Sequence, residues 1–128
     1  MAPKRYADLV GSSYTPDCPG REILEHVTSR WGVLVLLTLR DGTRRFSELR
    51  RHIGGVSEKM LAQTLRTLED DGFVLRHDFA EVPPRVDYKL TPMGRQVATH
   101  VAAIATWVTH NTAQVLAARQ NRPRAGTR

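Results

Sequence analysis

One segment constrains the fold more than any other. It carries sequence signals for both ends of a helix, and the residues after it alternate between apolar and polar as in a β-strand. Residues 56–73 read VSEKMLAQTLRTLEDDGF, and leucines recur in it at the i, i+4, i+7 spacing of a buried helical stripe: Leu61, Leu65 and Leu68. Ser57 is placed to cap the N-terminus, with Val56 before it, and Gly72 is placed for a left-handed C-cap followed by Phe73. The sequence therefore predicts a helix with both ends defined.

A shorter helix is predicted immediately before this one. The segment RFSELRRHI, residues 45–53, places Leu49 and Ile53 on one side and offers Ser47 as an N-cap. Gly54-Gly55 then permits a sharp reversal of the chain. Two helices joined by a tight glycine turn are typical of a helix-turn-helix motif.

Two alternating segments follow the second helix, FVLRHDF and VDYKL, with AEVPPR between them. Both are rich in β-branched and aromatic residues, so they predict a β-hairpin. Pro83 and Pro84 cannot donate to a strand ladder, and they stiffen a hairpin tip that leaves Arg85 exposed. A helix-turn-helix followed by a hairpin is a winged helix, and the predicted fold class is mainly α with a small β hairpin (α+β).

Two helices are predicted upstream of this motif. The first begins after Cys18-Pro19, since proline suits the first helical position. Its inward-facing residues are expected to be Ile23, Leu24 and Val27. The second begins near Trp31 and is apolar almost all the way round, which predicts a central buried helix.

A long helix is predicted downstream, opened by Thr91-Pro92 and reaching Arg119. At 1.5 Å per residue it would span roughly 42 Å, more than a small domain needs, so part of it must project. Apolar residues recur along it at alternating steps of four and three, the spacing of a helix-pairing seam. We therefore predict a homodimer with an interface that contains five residues of this helix: Val97, Val101, Ile104, Trp107 and Val108.

Composition and charge favour one domain with an anionic partner. The 128 residues are 41% hydrophobic and carry 19 Lys+Arg against 13 Asp+Glu, a net charge of +6, which suits nucleic acid or an acidic membrane. The longest apolar run has seven residues, so we expect a cytoplasmic protein without membrane association. We assign residues 18–119 to the winged-helix domain with its dimerisation helices, residues 1–17 to a flexible N-terminal arm, and residues 120–128 to a disordered basic tail.

The outer face of the marked helix carries side chains suited to reading DNA. Lys59, Gln63 and Arg66 lie opposite the leucines, and such side chains can hydrogen-bond to base edges and phosphates. The acidic run 69–71 lies at the C-terminal end, which points away when the N-terminal turns enter the groove. With cations from neighbouring elements, this predicts a site for double-stranded DNA made of six residues: Arg45, Ser57, Lys59, Gln63, Arg66 and Arg85. An ordinary solvated helix face is the alternative.

Several motifs in their order along the chain resemble the HxlR family of bacterial winged-helix transcription regulators. They are Cys-Pro at 18 and 19, RFSELRR, the SEKMLAQTLRTLE helix and the EVPPRVDYKLT wing, and the resemblance runs from Cys18 to about Trp107. It implies a dimer, assembled from N- and C-terminal helices, that binds operator DNA and represses or activates genes. It also implies no enzymatic activity. The predicted function is a dimeric, sequence-specific regulator, taken as a repressor, on a near-palindromic operator.

Cys18 is the candidate sensor residue. It is the only cysteine in the chain, which excludes an intrachain disulfide and a Cys-rich zinc site. It meets the positive end of a helix dipole near Arg21, although Asp17 opposes this. Some family members sense oxidants or electrophiles through a cysteine in this region, so the resemblance implies redox sensing. The alternative is a small, partly buried interface residue.

Other functions remain as weaker alternatives. A small-molecule effector could bind an apolar pocket between subunits, and a winged helix could serve as a protein-interaction module without binding DNA. His100 and His110 lie about 80° apart around one helix and roughly 15 Å apart along it, so they cannot bind one ion within a chain. We predict no metal, no cofactor and no catalytic residue.

Overall fold

The computed structural model describes residues 5–123, and within them it contains six helices and one three-stranded antiparallel sheet. The helices are α1 (Tyr6–Ser13), α2 (Pro19–Thr28), α3 (Arg30–Arg40), α4 (Phe46–His52), α5 (Glu58–Asp70) and α6 (Pro92–Gln120). The strands are β1 (Arg44–Arg45), β2 (Val74–Asp78) and β3 (Val86–Leu90), in the sheet order β1-β3-β2. The predicted fold class, mainly α with a small hairpin, is confirmed.

The hairpin forms in the predicted place and gains a strand that was not predicted. In the β2–β3 pair, Val74 lies opposite Leu90, and Asp78 lies opposite Val86. On the other side of β3, β1 places Arg45 opposite Asp87. A two-residue strand has too few positions to show an alternating pattern, so β1 could not be predicted from the local sequence.

Helix α3 is the centre of the core, as predicted. Val35 and Leu36 are fully buried, and Leu39 nearly so. The helix packs against α2, α5, α6 and the sheet, so its apolar residues meet neighbours on several sides.

One residue, Ser29, both ends α2 and begins α3. Its hydroxyl donates to the carbonyl oxygen of His26 at 3.0 Å and accepts from the N–H of Gly32 at 3.1 Å. A Cβ at Gly32 would lie 2.3 Å from that same carbonyl oxygen, so only glycine fits where the two helices meet.

Two upstream expectations differ from the structure. Ile23 and Leu24 were predicted to face inward, yet they are 40% and 45% exposed, because only the side of α2 that carries Val27 is covered by the core. Residues 1–17 were predicted as a flexible arm, whereas Tyr6–Ser13 form a helix none of whose residues is buried. Residues 1–4 of that arm, and residues 124–128 of the predicted tail, lie outside the described residues.

The long helix α6 is confirmed at nearly the predicted bounds. The Thr91 hydroxyl accepts from the N–H of Gly94 at 3.0 Å and caps the helix. Gly94, Ala98 and Val101 are buried against the rest of the chain, while the half beyond Ile104 projects. Between residues 5 and 123, no helix combines the length and the apolar character required to cross a bilayer.

Candidate nucleic-acid interface

Helices α4 and α5 form the helix-turn-helix, and buried side chains on both sides of the turn anchor it to the core. Ile53 and Val56, on either side of the glycine pair, are buried. Gly55 has a φ of +86°, a left-handed conformation that side chains disfavour and glycine adopts readily. The reversal predicted from Gly54-Gly55 is therefore confirmed.

Both ends of α5 have the predicted caps. The Ser57 hydroxyl accepts from the N–H of Met60 at 3.1 Å. At the other end, Gly72 has a φ of +83°, and the N–H of Phe73 donates to the carbonyl oxygen of Leu68 at 2.9 Å. This is the bond that defines a Schellman motif, so the orientation of the helix is fixed at both termini.

The start of α4 differs from the prediction. The N-cap is Arg45 rather than Ser47, and the Glu48 carboxylate accepts from the Arg45 N–H at 2.7 Å. Arg45 is also the last residue of β1, so pairing with β3 fixes its extended backbone and sets where the helix begins. Its exposed side chain consequently lies at the junction of the sheet and the helix-turn-helix.

The outer face of α5 is free. Lys59, Gln63 and Arg66 are all exposed, on the side away from the buried leucines. Among residues 5–123, no carboxylate oxygen lies within 4.0 Å of a charged nitrogen of Lys59 or Arg66. Gln63 additionally borders a cleft of about 160 Å³ between α5 and α2. Both cations are available to an anionic ligand.

The acidic end of α5 is partly paired. The Asp71 carboxylate lies 2.5 Å from Nδ1 of His26, which is in the last turn of α2. At the opposite end, Arg50 of α4 pairs with Glu58 at 3.1 Å. The acidic run 69–71 lies at the C-terminal end as predicted, the free cations lie on the outer face, and the acid at the N-terminal end is paired with Arg50.

The wing differs from the prediction at Arg85. That residue was expected to be exposed, but its side chain is half-buried and interacts with two others. Its guanidinium lies over the ring of Phe79 at 4.4 Å from the centroid, and Nη2 donates to Asp87 at 3.4 Å. The sequence contained a signal for Asp87, since residues two apart in an extended segment share a face; it contained none for Phe79, which follows the other strand of the hairpin.

The sheet brings two of the predicted DNA-binding residues close together. Arg45 lies opposite Asp87, and Asp87 is two positions from Arg85. The α4–α5 unit supplies the other four predicted residues: Ser57, Lys59, Gln63 and Arg66. Six side chains predicted from separate segments thus lie on one helix-turn-helix and its wing.

Cys18 is the N-cap of α2, as the sequence predicted. Its thiol donates to the carbonyl oxygen of Ser13 at 2.7 Å, and its sulfur accepts from the N–H of Arg21 at 3.3 Å. It is a free, half-buried thiol that joins the end of α1 to the start of α2. No cluster of three His, Cys, Asp or Glu side chains suited to a metal ion occurs in the described part of the chain.

The predicted dimer-interface residues divide into two groups. Val101 is only 6% exposed, and Val97 packs against the core. Both residues therefore contact their own chain, and Val101 has almost no exposed surface left for a partner. Ile104, Trp107 and Val108 are 63%, 59% and 50% exposed. The free seam therefore begins at Ile104 and continues through Val115 and Leu116, beside a concavity of about 350 Å³.

Two helices joined by a glycine turn, the second of them capped at both ends, and a β-hairpin wing define the class of winged helix-turn-helix proteins. The chain belongs to the HxlR-like helix-turn-helix family, whose model matches residues 26–115. It is 59% identical over 112 residues to the uncharacterized HTH-type transcriptional regulator YtfH of Escherichia coli K12, covering 88% of this chain and 89% of that protein.

Solved structures agree with this assignment. A putative transcriptional regulator ytfH from Salmonella typhimurium superposes with a TM-score of 0.82 at 60% identity, covering 84% of this chain and 96% of that one. The redox regulator HypR in its oxidized form gives a TM-score of 0.67 at 35% identity, covering 73% and 97%. The chain is a transcriptional regulator with a helix-turn-helix DNA-binding domain, from a family of regulators and not of enzymes.

Proposed function

We propose that the chain acts as a homodimer that binds a near-palindromic DNA operator and represses transcription from it. The observation that carries this proposal is the outer face of α5, where Lys59, Gln63 and Arg66 are exposed while the opposite face is buried. Long donors on a rigid helix suit the major groove, and the acidic C-terminal end is directed away from phosphate. A protein that occupies an operator excludes other proteins from it, which favours repression as the sign of regulation.

The partner we propose for the free half of α6 is a second copy of this chain. Ile104, Trp107 and Val108 present apolar surface on a helix that extends beyond the core. Ile23 and Leu24 of α2 add further uncovered apolar surface in the same chain. Burying such surface stabilises an assembly by about 25 cal/mol per Å². Two copies would place their α5 helices on half-sites about one helical turn apart.

The reading face can be tested by selecting bound duplexes from a random-sequence library and measuring affinity by fluorescence anisotropy. We expect Gln63→Ala and Arg66→Ala to reduce the preference for the selected duplex over an unrelated one. Arg95→Ala is the matched control, because it removes an exposed arginine near the start of α6, outside the helix-turn-helix. Preferences equal to the wild type in both α5 variants would show that another surface reads the sequence.

A thiol-based response is the second function we propose, and the geometry of Cys18 favours it. The sulfur carries hydrogen bonds to both α1 and α2, so modification removes the proton donated to Ser13 and alters this junction. The structural likeness to the redox regulator HypR supports the proposal.

Diamide treatment tests this response. Diamide oxidises two thiols to one disulfide and takes up their two hydrogen atoms, so a disulfide between two protomers appears as a covalent dimer on a non-reducing gel. We expect diamide to change DNA affinity in the wild type and to leave Cys18→Ser unaffected. The same change in both proteins, or in neither, would count against Cys18 as the switch.

A further inference from the structure

Arg85 is held in one position by other side chains of the wing. Its guanidinium carbon lies 4.4 Å from the centroid of the Phe79 ring, and Nε and Nη2 donate to the two Asp87 carboxylate oxygens at 3.5 and 3.4 Å. The Arg85 side chain is 38% exposed and that of Asp87 only 15%. Asp87 is thus the covered partner, and Arg85 is the one that faces outward.

The hairpin backbone sets this arrangement. The N–H of Phe79 donates to the carbonyl oxygen of Arg85 at 3.0 Å, which brings the two residues together just beyond the β2–β3 ladder. Residues two apart on a strand share a face, which places Asp87 beside Arg85. His77, opposite Asp87, meets the Phe79 ring edge-on with centroids 4.2 Å apart. Strand pairing therefore fixes Asp87, and the backbone bond just beyond the ladder brings Phe79 to Arg85.

Asp87 could affect DNA binding by Arg85 in two opposite ways. Its negative charge reduces the attraction of the wing for phosphate, whereas its hydrogen bonds restrict a side chain that otherwise loses rotamer freedom on binding. The charge effect is the smaller one, because a partly exposed ion pair is worth little in water and Asp87 is shielded behind the guanidinium. Arginine has five N–H donors, so three remain for DNA.

We propose that Asp87 and Phe79 are positioning residues that hold the Arg85 guanidinium ready to contact DNA. This inference rests on the proposed DNA-binding function. It gives a role in DNA binding to two wing residues that need not touch the duplex themselves. It predicts that their effect on DNA affinity depends on the presence of Arg85.

A double-mutant cycle tests the dependence, with a duplex selected by the wild-type chain as the probe in fluorescence anisotropy. We expect Asp87→Ala and Phe79→Leu each to weaken binding by about three- to tenfold, the effect of leaving one flexible side chain to be ordered on binding. In an Arg85→Ala background we expect neither change to weaken binding further. Asp87→Asn retains one acceptor at the same volume, so it should lose less affinity than Asp87→Ala.

Glu81→Ala is the matched control, since it removes an exposed negative charge from the hairpin tip. We expect it to maintain or raise affinity. If Asp87→Ala likewise bound more tightly, with a steeper salt dependence, Asp87 would act only as a charge and the proposal would be overturned. An equal loss of DNA affinity with and without Arg85 would mean that Asp87 only stabilises the hairpin, which would also overturn the proposal. If Asp87→Ala does not fold, the same comparison is made with Asp87→Asn. A wild-type chain that selects no duplex would overturn the DNA-binding function itself.

Discussion

Among the glycines of residues 5–123, Gly94 has the least room for a side chain. It lies in the first turn of α6, and a Cβ there would be 1.9 Å from the carbonyl oxygen of Phe73. The backbone of α6 therefore touches the backbone of Phe73, in the connection between α5 and β2. This contact fixes where the long helix leaves the winged-helix core.

We expect Gly94→Ala to lower the free energy of unfolding by about 1–3 kcal/mol, because backbone must move to admit the methyl group. Urea denaturation followed by circular dichroism measures this. Gly11→Ala is the matched control, since nothing lies within 4 Å of a Cβ at that position in α1. Equal stabilities of the Gly94 variant and the wild type would show that α6 does not depend on this contact.

Residues with local signals were predictable, and residues fixed by distant partners were not. The Ser57 and Thr91 caps and the Gly72 C-cap follow from chemistry within one turn of the chain, and all three were confirmed. Ser47 was a wrong N-cap because the start of α4 is set by Arg45 pairing with Asp87, a strand partner far along the chain. Gly94 carried no signal at all, since its constraint is tertiary.

At the scale of elements, a polar contact joins α2 to the C-terminal end of α5. His26 in the last turn of α2 lies 2.5 Å from the Asp71 carboxylate at the C-cap of α5, and both side chains are partly buried. Helix α2 also begins at Cys18, the candidate sensor. The contact therefore lies between the thiol and the helix proposed to read DNA.

We expect His26 and Asp71 to be energetically coupled by about 0.5–1.5 kcal/mol in a double-mutant cycle of unfolding free energies. His26→Ala and Asp71→Ala should each destabilise the chain, and the double variant should be more stable than their sum predicts. Arg76 and Asp78, 3.8 Å apart and largely exposed, provide a control pair with a smaller expected coupling. Additive effects at His26 and Asp71 would mean that the contact does not join the two helices energetically.

The elements of the candidate site were largely predictable, but their mutual contacts were not. The leucine stripe and the alternating strands identified α5 and the hairpin, because periodicity reflects burial. Periodicity cannot show what lies on the exposed side, so Ile23 and Leu24 were wrongly placed inside. It also could not show that Arg85 is covered by Phe79, because those residues lie on opposite sides of the hairpin, one just after β2 and the other just before β3.

At the scale of the whole molecule, α6 carries an apolar surface that residues 5–123 leave uncovered. The exposed residues Ile104, Trp107 and Val108 continue a stripe whose earlier members, including Val101, are buried in the core. The same face of α6 thus packs against the core in its N-terminal half and is exposed in its C-terminal half. This continuity supports the dimer proposed above.

We expect Ile104→Glu to convert a dimer into a monomer, because it places a charge in an apolar interface. Light scattering after size-exclusion chromatography measures the mass. Thr106→Glu is the control, since Thr106 is exposed and lies about 200° around the helix from Ile104. A dimer that withstands Ile104→Glu, or a wild-type monomer, would remove the free half of α6 as the interface.

The one-residue junction at Ser29 has a mechanical consequence. Longer connections between helices have spare length, so one helix can tilt while its neighbour stays still. Here the hydroxyl of Ser29 is bonded to both helices, and Gly32 lies directly against the carbonyl oxygen of His26. We therefore expect a rotation that begins near the N-terminal end of α2 to move α3, the central helix of the winged-helix core, as well.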